Sequence, residues 1–139
     1  MYKFDITVQE QLNKVVKDFK KLTSDAITET AIEIHGAIVR TSPVRTGLYR
    51  SNNFIEVDGQ HENTETSTRQ KAQRSREALN IRFVLGKNRS IHLFNNLVYA
   101  DTLEVRDYGQ SQMGVYYPAS LRVGKIFQRK FKQKKFDFK

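Results

Sequence analysis

Between Val8 and Ile38 the chain places Leu12, Val15, Val16, Phe19, Leu22, Ile27, Ala31 and Ile34 at steps dominated by three and four residues. That period gathers apolar side chains onto one stripe of an α-helix. The stripe persists from Leu22 to Ile27, so one long helix is expected rather than two, with Ser24 the place for a kink. Thr7 suits its start, because Glu10 three residues later completes a capping box. Pro43 suits its end, since the residue before a proline avoids helical geometry. A helix of this kind needs other elements to cover its apolar face.

Phe54–Val57 reads as a short strand, with Asp58-Gly59 as a turn. Residues 59–78 hold almost no apolar side chains, which predicts a long exposed loop or flexible arm without a core position. Ile81, Phe83 and Leu85, then Ile91, Leu93 and Phe94, flank the turn-like residues 86–90 and predict a hairpin. Leu97, Ala100, Leu103 and Val105 suit a short helix ending near Gly109. Pro118 suits the first turn of a terminal helix with Leu121, Ile126, Phe127 and Phe131 on one side. The expected fold class is therefore α+β: a long N-terminal helix packed on a small antiparallel sheet, with a short helix and a basic C-terminal helix, in a single domain over 1–139. Three strands are close to the minimum for a stable sheet, so the helix must cover its apolar face.

Composition narrows the function classes. At 139 residues, 38% hydrophobic and 28% charged, the chain is polar for one globular domain, which suits a small core completed by a partner interface. The formal net charge of +9 favours nucleic acid, an anionic membrane or an acidic protein. There is no cysteine, which excludes disulfides, thiolate metal sites and cysteine nucleophiles. The first residues lack the apolar core of a signal peptide, and no apolar run is long enough to span a bilayer, so no membrane role is expected.

Catalytic patterns are absent from the sequence. His35, His61 and His92 show no metal-ligand spacing, and each is read as structural or solvent-facing. Glu29 and Glu33 fall together on the polar face of the long helix as solvated carboxylates; Asp101 and Glu104 have no base or nucleophile near them in sequence. No nucleophile elbow, phosphate loop or dinucleotide fingerprint occurs, so no enzyme and no cofactor are expected. Two basic stretches stand out. Arg69, Lys71, Arg74 and Arg76 lie in the polar segment, and Lys125, Arg129, Lys130, Lys132, Lys134 and Lys135 on the polar side of the terminal helix. They suit contacts to DNA phosphates or to an acidic partner, and equally a solvated face; Phe127 and Phe131 stand at ordinary core spacing.

Two stretches, 41–52 and 92–114, together resemble a known family. In the first, Ser42, Pro43, Val44, Thr46, Gly47 and Arg50 match; in the second, Asn95, Asn96, Tyr99, Ala100, Leu103, Glu104, Gly109 and Ser111 match. The resemblance is to the minor tail components of long-tailed, non-contractile phages, called tail-completion, neck or head–tail joining proteins. Two departures occur: Arg45 stands where the pattern has an acid, and residues 105–107 intrude before Tyr108. The resemblance implies a structural virion protein without catalytic residues. It implies self-assembly into a ring, commonly a hexamer, between the head's connector or head-closure proteins and the tail-terminator or tube proteins, with DNA passing through the lumen. A small basic nucleic-acid-binding module and another minor capsid or tail protein stay open as alternatives.

Overall fold

A computed structural model of the chain describes residues 2–44, 46–100 and 114–134, with the side chains of the first helix from residue 11 onward. The elements in order are α1 (Tyr2–Thr41), α2 (Leu48–Ser51), β1 (Phe54–Val57), α3 (Lys71–Asn80), β2 (Ile91–Phe94), α4 (Tyr116–Ser120) and α5 (Val123–Gln133). The fold is α+β, with the long helix lying against the sheet.

At 40 residues, α1 extends about 60 Å. It begins at Tyr2, so Thr7 lies inside it and the expected capping box does not form its start. It also continues through Ser24. That side chain hydrogen-bonds back to the Lys20 carbonyl at 2.7 Å, which leaves the helical ladder in place. Pro43 follows the helix end as expected. Burial along the helix is uneven. Ala31, Ile34 and Ile38 are buried, whereas Leu12, Val16 and Phe19 remain about half exposed.

The sheet has two strands among the described residues. β1 and β2 are antiparallel, pairing Phe54 with Phe94, Ile55 with Leu93, Glu56 with His92 and Val57 with Ile91. The expected hairpin over 81–94 is thus overturned: β2 pairs with β1, and residues 81–85 lie along α1 instead. The Phe83 amide donates to the Thr28 hydroxyl at 3.0 Å and the Leu85 amide to the Ser24 hydroxyl at 2.8 Å. Side-chain hydroxyls on a helix thereby satisfy backbone donors that a strand neighbour would otherwise take.

One apolar cluster joins Ile34, Ile38, Tyr49, Ala100, Val115, Ala119 and Ile126; a second joins Ala31, Ile55 and Ala78, with Ile81, Ile91 and Leu93 packed against it. Residues 59–78, expected as an exposed loop or arm, instead contain the start of α3 and place Arg74 and Ala78 in the interior. The Arg74 guanidinium lies 4.7 Å from the centre of the Phe54 ring and 3.3 Å from a Glu77 carboxylate oxygen. A cation over an aromatic face, held by a carboxylate, fills a core position that an apolar residue would ordinarily take.

The terminal helical segment is divided. Pro118 stands in the first turn of α4, and the chain turns at Leu121–Arg122 before α5. Leu121 is exposed, contrary to its expected place on the packed side, while Ile126 is buried. The short helix expected between Leu97 and Gly109 falls largely outside the described residues. α5 packs along α1 through charge as well as apolar contact: Arg129 and Lys130 bind Glu33, the latter at 3.5 Å, and Lys134 binds Glu29 at 2.9 Å. Glu29 and Glu33 are therefore docking acids for α5 rather than free solvated carboxylates. Burial pushes the Glu33 carboxyl up, but the hydrogen bond and charge of Arg129, with Lys130 beside it, outweigh this and hold it below the usual carboxylate range. Its folded value lies below its unfolded one, so its contribution is present at neutral pH and lost as pH falls through the carboxylate range. Glu33→Gln should cost about 1 kcal/mol or less at neutral pH, measured by urea denaturation, and the difference should shrink in high salt.

Candidate functional site

The two stretches that carry the sequence resemblance converge on one buried polar junction. Its centre is Asn53, fully buried at the entry to β1. The Asn53 amide nitrogen donates to the Ser42 hydroxyl at 2.9 Å, and that hydroxyl donates to the Ile38 carbonyl at 2.6 Å. The Asn53 side-chain oxygen accepts from Asn95 Nδ2 at 3.1 Å and from the Tyr116 hydroxyl at 2.8 Å. Asn95 Nδ2 also donates to the Tyr49 carbonyl at 3.0 Å, and its oxygen accepts from the Leu97 amide. Four segments distant in sequence are joined through these groups: the end of α1, the turn before β1, the residues after β2, and α4.

His35 enters the same junction from α1. Its Nε2 donates to the Asn53 carbonyl at 2.8 Å, which is the tautomer a carbonyl partner requires. The ring is buried, so the reading of a structural histidine holds. Burial is the main cause that pushes its pKa down; the Asn53 hydrogen bond and Glu77 oppose this, and Arg74 adds to it. Above about pH 6.5 the imidazole is neutral in both states and its contribution is complete. Below that, the unfolded chain takes up a proton that the fold refuses, so stability falls as pH drops toward the lowered folded value. Urea midpoints between pH 8 and pH 5 should decline accordingly, and His35→Gln should flatten that slope.

Around this centre each described motif residue has a place. Ser42 is buried, while Pro43 and Val44 are exposed. Thr46 accepts the Leu48 amide at 3.2 Å and so organises the start of α2. Gly47 has φ of 78°, and a Cβ there would stand 2.5 Å from the Thr68 carbonyl oxygen. Arg50 donates to the carbonyls of Ser42 at 3.2 Å and Arg40 at 3.5 Å. It therefore caps the end of α1, where unpaired carbonyls and the helix dipole favour a cation. Asn96 Nδ2 donates to the carbonyls of His61 and Asn63 at 2.7 and 3.0 Å. The Tyr99 ring lies 6.4 Å from that of Tyr49, and Ala100 joins the apolar cluster. Leu103, Glu104, Gly109 and Ser111 lie outside the described residues, as does Arg45.

The polar segment 60–70 is tied to this junction along its length. Asn52 donates to the Glu65 carbonyl at 2.9 Å and accepts the Glu65 amide at 2.7 Å; Gln70 donates its amide to the Ser51 hydroxyl at 2.9 Å. Asn52, Asn53 and His35 thus carry the site although no motif marks them. The only sequence trace of them is a run of small polar residues before a strand and a histidine beside an apolar stripe.

The basic residues divide into two groups. Arg74 is buried beneath Glu77 and beside Phe54, and Lys130 and Lys134 are engaged by Glu33 and Glu29, so these three are not free to meet phosphate. Lys125, Arg129 and Lys132 share one open face of α5 with Gln128 and Gln133, although Arg129 also reaches Glu33. Arg69, Lys71 and Arg76 are exposed, and Lys135 lies outside the described residues.

Compared with protein-family models, curated proteins and solved structures, the chain matches none. Among the described residues no group of three or more histidine or acidic side chains is placed to hold a metal ion, and no helix is long and apolar enough to cross a membrane.

Proposed function

We propose that the chain is a structural assembly protein of a tailed phage, building a ring at the head–tail junction through which DNA passes. The observation that carries this reading is that Ser42 and Asn95, one from each resembling stretch, both hydrogen-bond to the buried Asn53 side chain. Residues that share a family pattern and also share one hydrogen-bonded junction are what a common fold demands. Pro43, Val44 and Tyr99, exposed at the margin of that junction, supply surface for neighbouring subunits. The partners in this reading are further copies of the chain in a ring, with a hexamer expected, together with connector or head-closure, tail-terminator or tube proteins.

Light scattering and negative-stain microscopy test the proposal, on the chain alone and with the products of its neighbouring genes. Annular particles of uniform size are the expected result. A monomer under every such condition, or virions that join head to tail normally when the gene is deleted, would overturn it.

The open basic face of α5 favours a second reading, a small nucleic-acid-binding module. Lys125 and Lys132 contribute charge there without shape for reading bases. A ring protein of this charge should bind duplex DNA weakly and without sequence preference, with binding gone by about 0.2 M salt. Tight, sequence-biased binding that survives that salt would favour the module instead.

A further inference from the structure

We propose that a groove between the N-terminal half of α1 and residues 82–85 docks an acidic, amphipathic segment of a partner protein. The groove encloses about 590 Å³. Its floor is apolar, formed by Val16 and Phe83 with Val84 and Leu85, and Val16, Val84 and Leu85 are 53%, 47% and 36% exposed. Its rim carries Lys17, Lys20, Lys21 and Arg82 against a single acid, Asp25. None of those four cations enters an ion pair among the described residues.

The wall of the groove is fixed rather than draped. Thr28 and Ser24 hold the backbone amides of Phe83 and Leu85, and the Val84 amide donates to Asn88 Oδ1 at 2.8 Å. Those bonds use the backbone donors of the segment and leave the Val84 and Leu85 side chains outward. An apolar floor ringed by unpaired cations complements a segment with apolar residues on one face and carboxylates on its flanks.

The occupant is a different protein rather than a second copy of this chain. Among the described acids, Glu29, Glu33, Glu65 and Glu77 face cations, Glu56 faces His61, and Asp58 is held by Asn88 and the amides of Arg89 and Ser90, which leaves Asp18 and Asp25 on the groove's own helix and Glu62. A net charge of +9 makes two such surfaces repel. Nucleic acid fits less well, because the exposed floor is aliphatic and Phe83, the aromatic ring of the groove, is buried and unavailable for stacking. The inference stands independently of the head–tail reading, since it rests on the groove alone.

Fluorescence anisotropy on the full chain provides the test. The probe is a labelled synthetic helical peptide with leucine on one face and glutamate on its flanks. Its comparators are a scrambled peptide of the same composition, a version with lysine replacing glutamate, and labelled duplex DNA. The leucine–glutamate peptide should bind saturably and about tenfold more tightly than the scrambled one, the difference that covering the still-exposed parts of Val84 and Leu85 supplies. Val84→Ser with Leu85→Ser should remove that advantage, and Lys17→Glu with Lys21→Glu should weaken binding to a similar degree, with circular dichroism unchanged because all four residues are exposed. Equal binding of the scrambled peptide in the unaltered chain would overturn the proposal without recourse to any variant. So would an unaffected serine variant, or displacement of the peptide by duplex DNA at equal charge concentration.

Discussion

Gly47→Val is expected to lower the unfolding free energy by about 3 kcal/mol, combining the roughly 1–2 kcal/mol of left-handed backbone with a forced movement of the chain. Gly47 has φ of 78°, where a β-branched residue is strained, and an added Cβ would meet the Thr68 carbonyl oxygen at 2.5 Å. The obstacle is backbone, so no side-chain rotation relieves it. The turn before α2 and the segment leading into α3 would have to separate. Asparagine tells the two causes apart, since it tolerates the left-handed region but still carries a Cβ. Gly47→Asn should therefore also destabilise in urea denaturation. A Gly47→Asn variant as stable as the parent would show that the Thr68 contact yields freely and that conformation alone matters.

Asn53→Leu has a comparable expected effect by another route. Leucine nearly conserves volume, so packing is disturbed little, but the side-chain bonds to Ser42, Asn95 and Tyr116 disappear together. Ser42 keeps its bond to the Ile38 carbonyl and Asn95 its bond to the Tyr49 carbonyl, so each loses only part of its partnering. A buried polar group left without a partner costs about 1–3 kcal/mol, and the partial losses here should bring the total to about 3–4 kcal/mol. Thermal and urea unfolding should both register it. A loss below about 1 kcal/mol would mean that water or a rearranged Tyr116 takes over the missing bonds. Asn95→Leu in the same background should add little, because the two residues share one network.

Those residues also mark where the chain was readable. Pro43 ends α1 through local sterics, and Phe54–Val57 is a short, largely apolar run closed by an Asp-Gly turn, so both were legible from neighbouring residues alone. The pairing of β1 with β2 was not. Ile81, Phe83 and Leu85 alternate as a strand would, but the amides of Phe83 and Leu85 are claimed by Thr28 and Ser24, more than fifty positions earlier. Periodicity says nothing about such a donor–acceptor match.

α3 was hidden for a related reason. Its interior position is filled by Arg74, which reads as solvated until Phe54 and Glu77 are brought beside it. Likewise Glu29 and Glu33 look like an ordinary wet helix face, and only the folded chain sets Lys134 and Arg129 against them. Within the candidate site, Gly47 and Asn95 were visible as motif residues. The roles of His35, Asn53 and Tyr116 depend on partners far along the chain, so local pattern could not assign them.

The apolar cluster built on Ile34 and Ile38 has a consequence for the order of events during synthesis. Its covering residues Val115, Ala119 and Ile126 come from the last quarter of the chain. A growing polypeptide would emerge with α1 already able to coil, yet with its lower flank bare until those late residues appear. Loop closure over so long a separation is slow compared with helix formation. Chains that lack those residues should therefore be recognised by chaperones and proteases rather than accumulate as folded protein. The appearance of residues 115–126 thus acts as a checkpoint on which molecules reach the folded state.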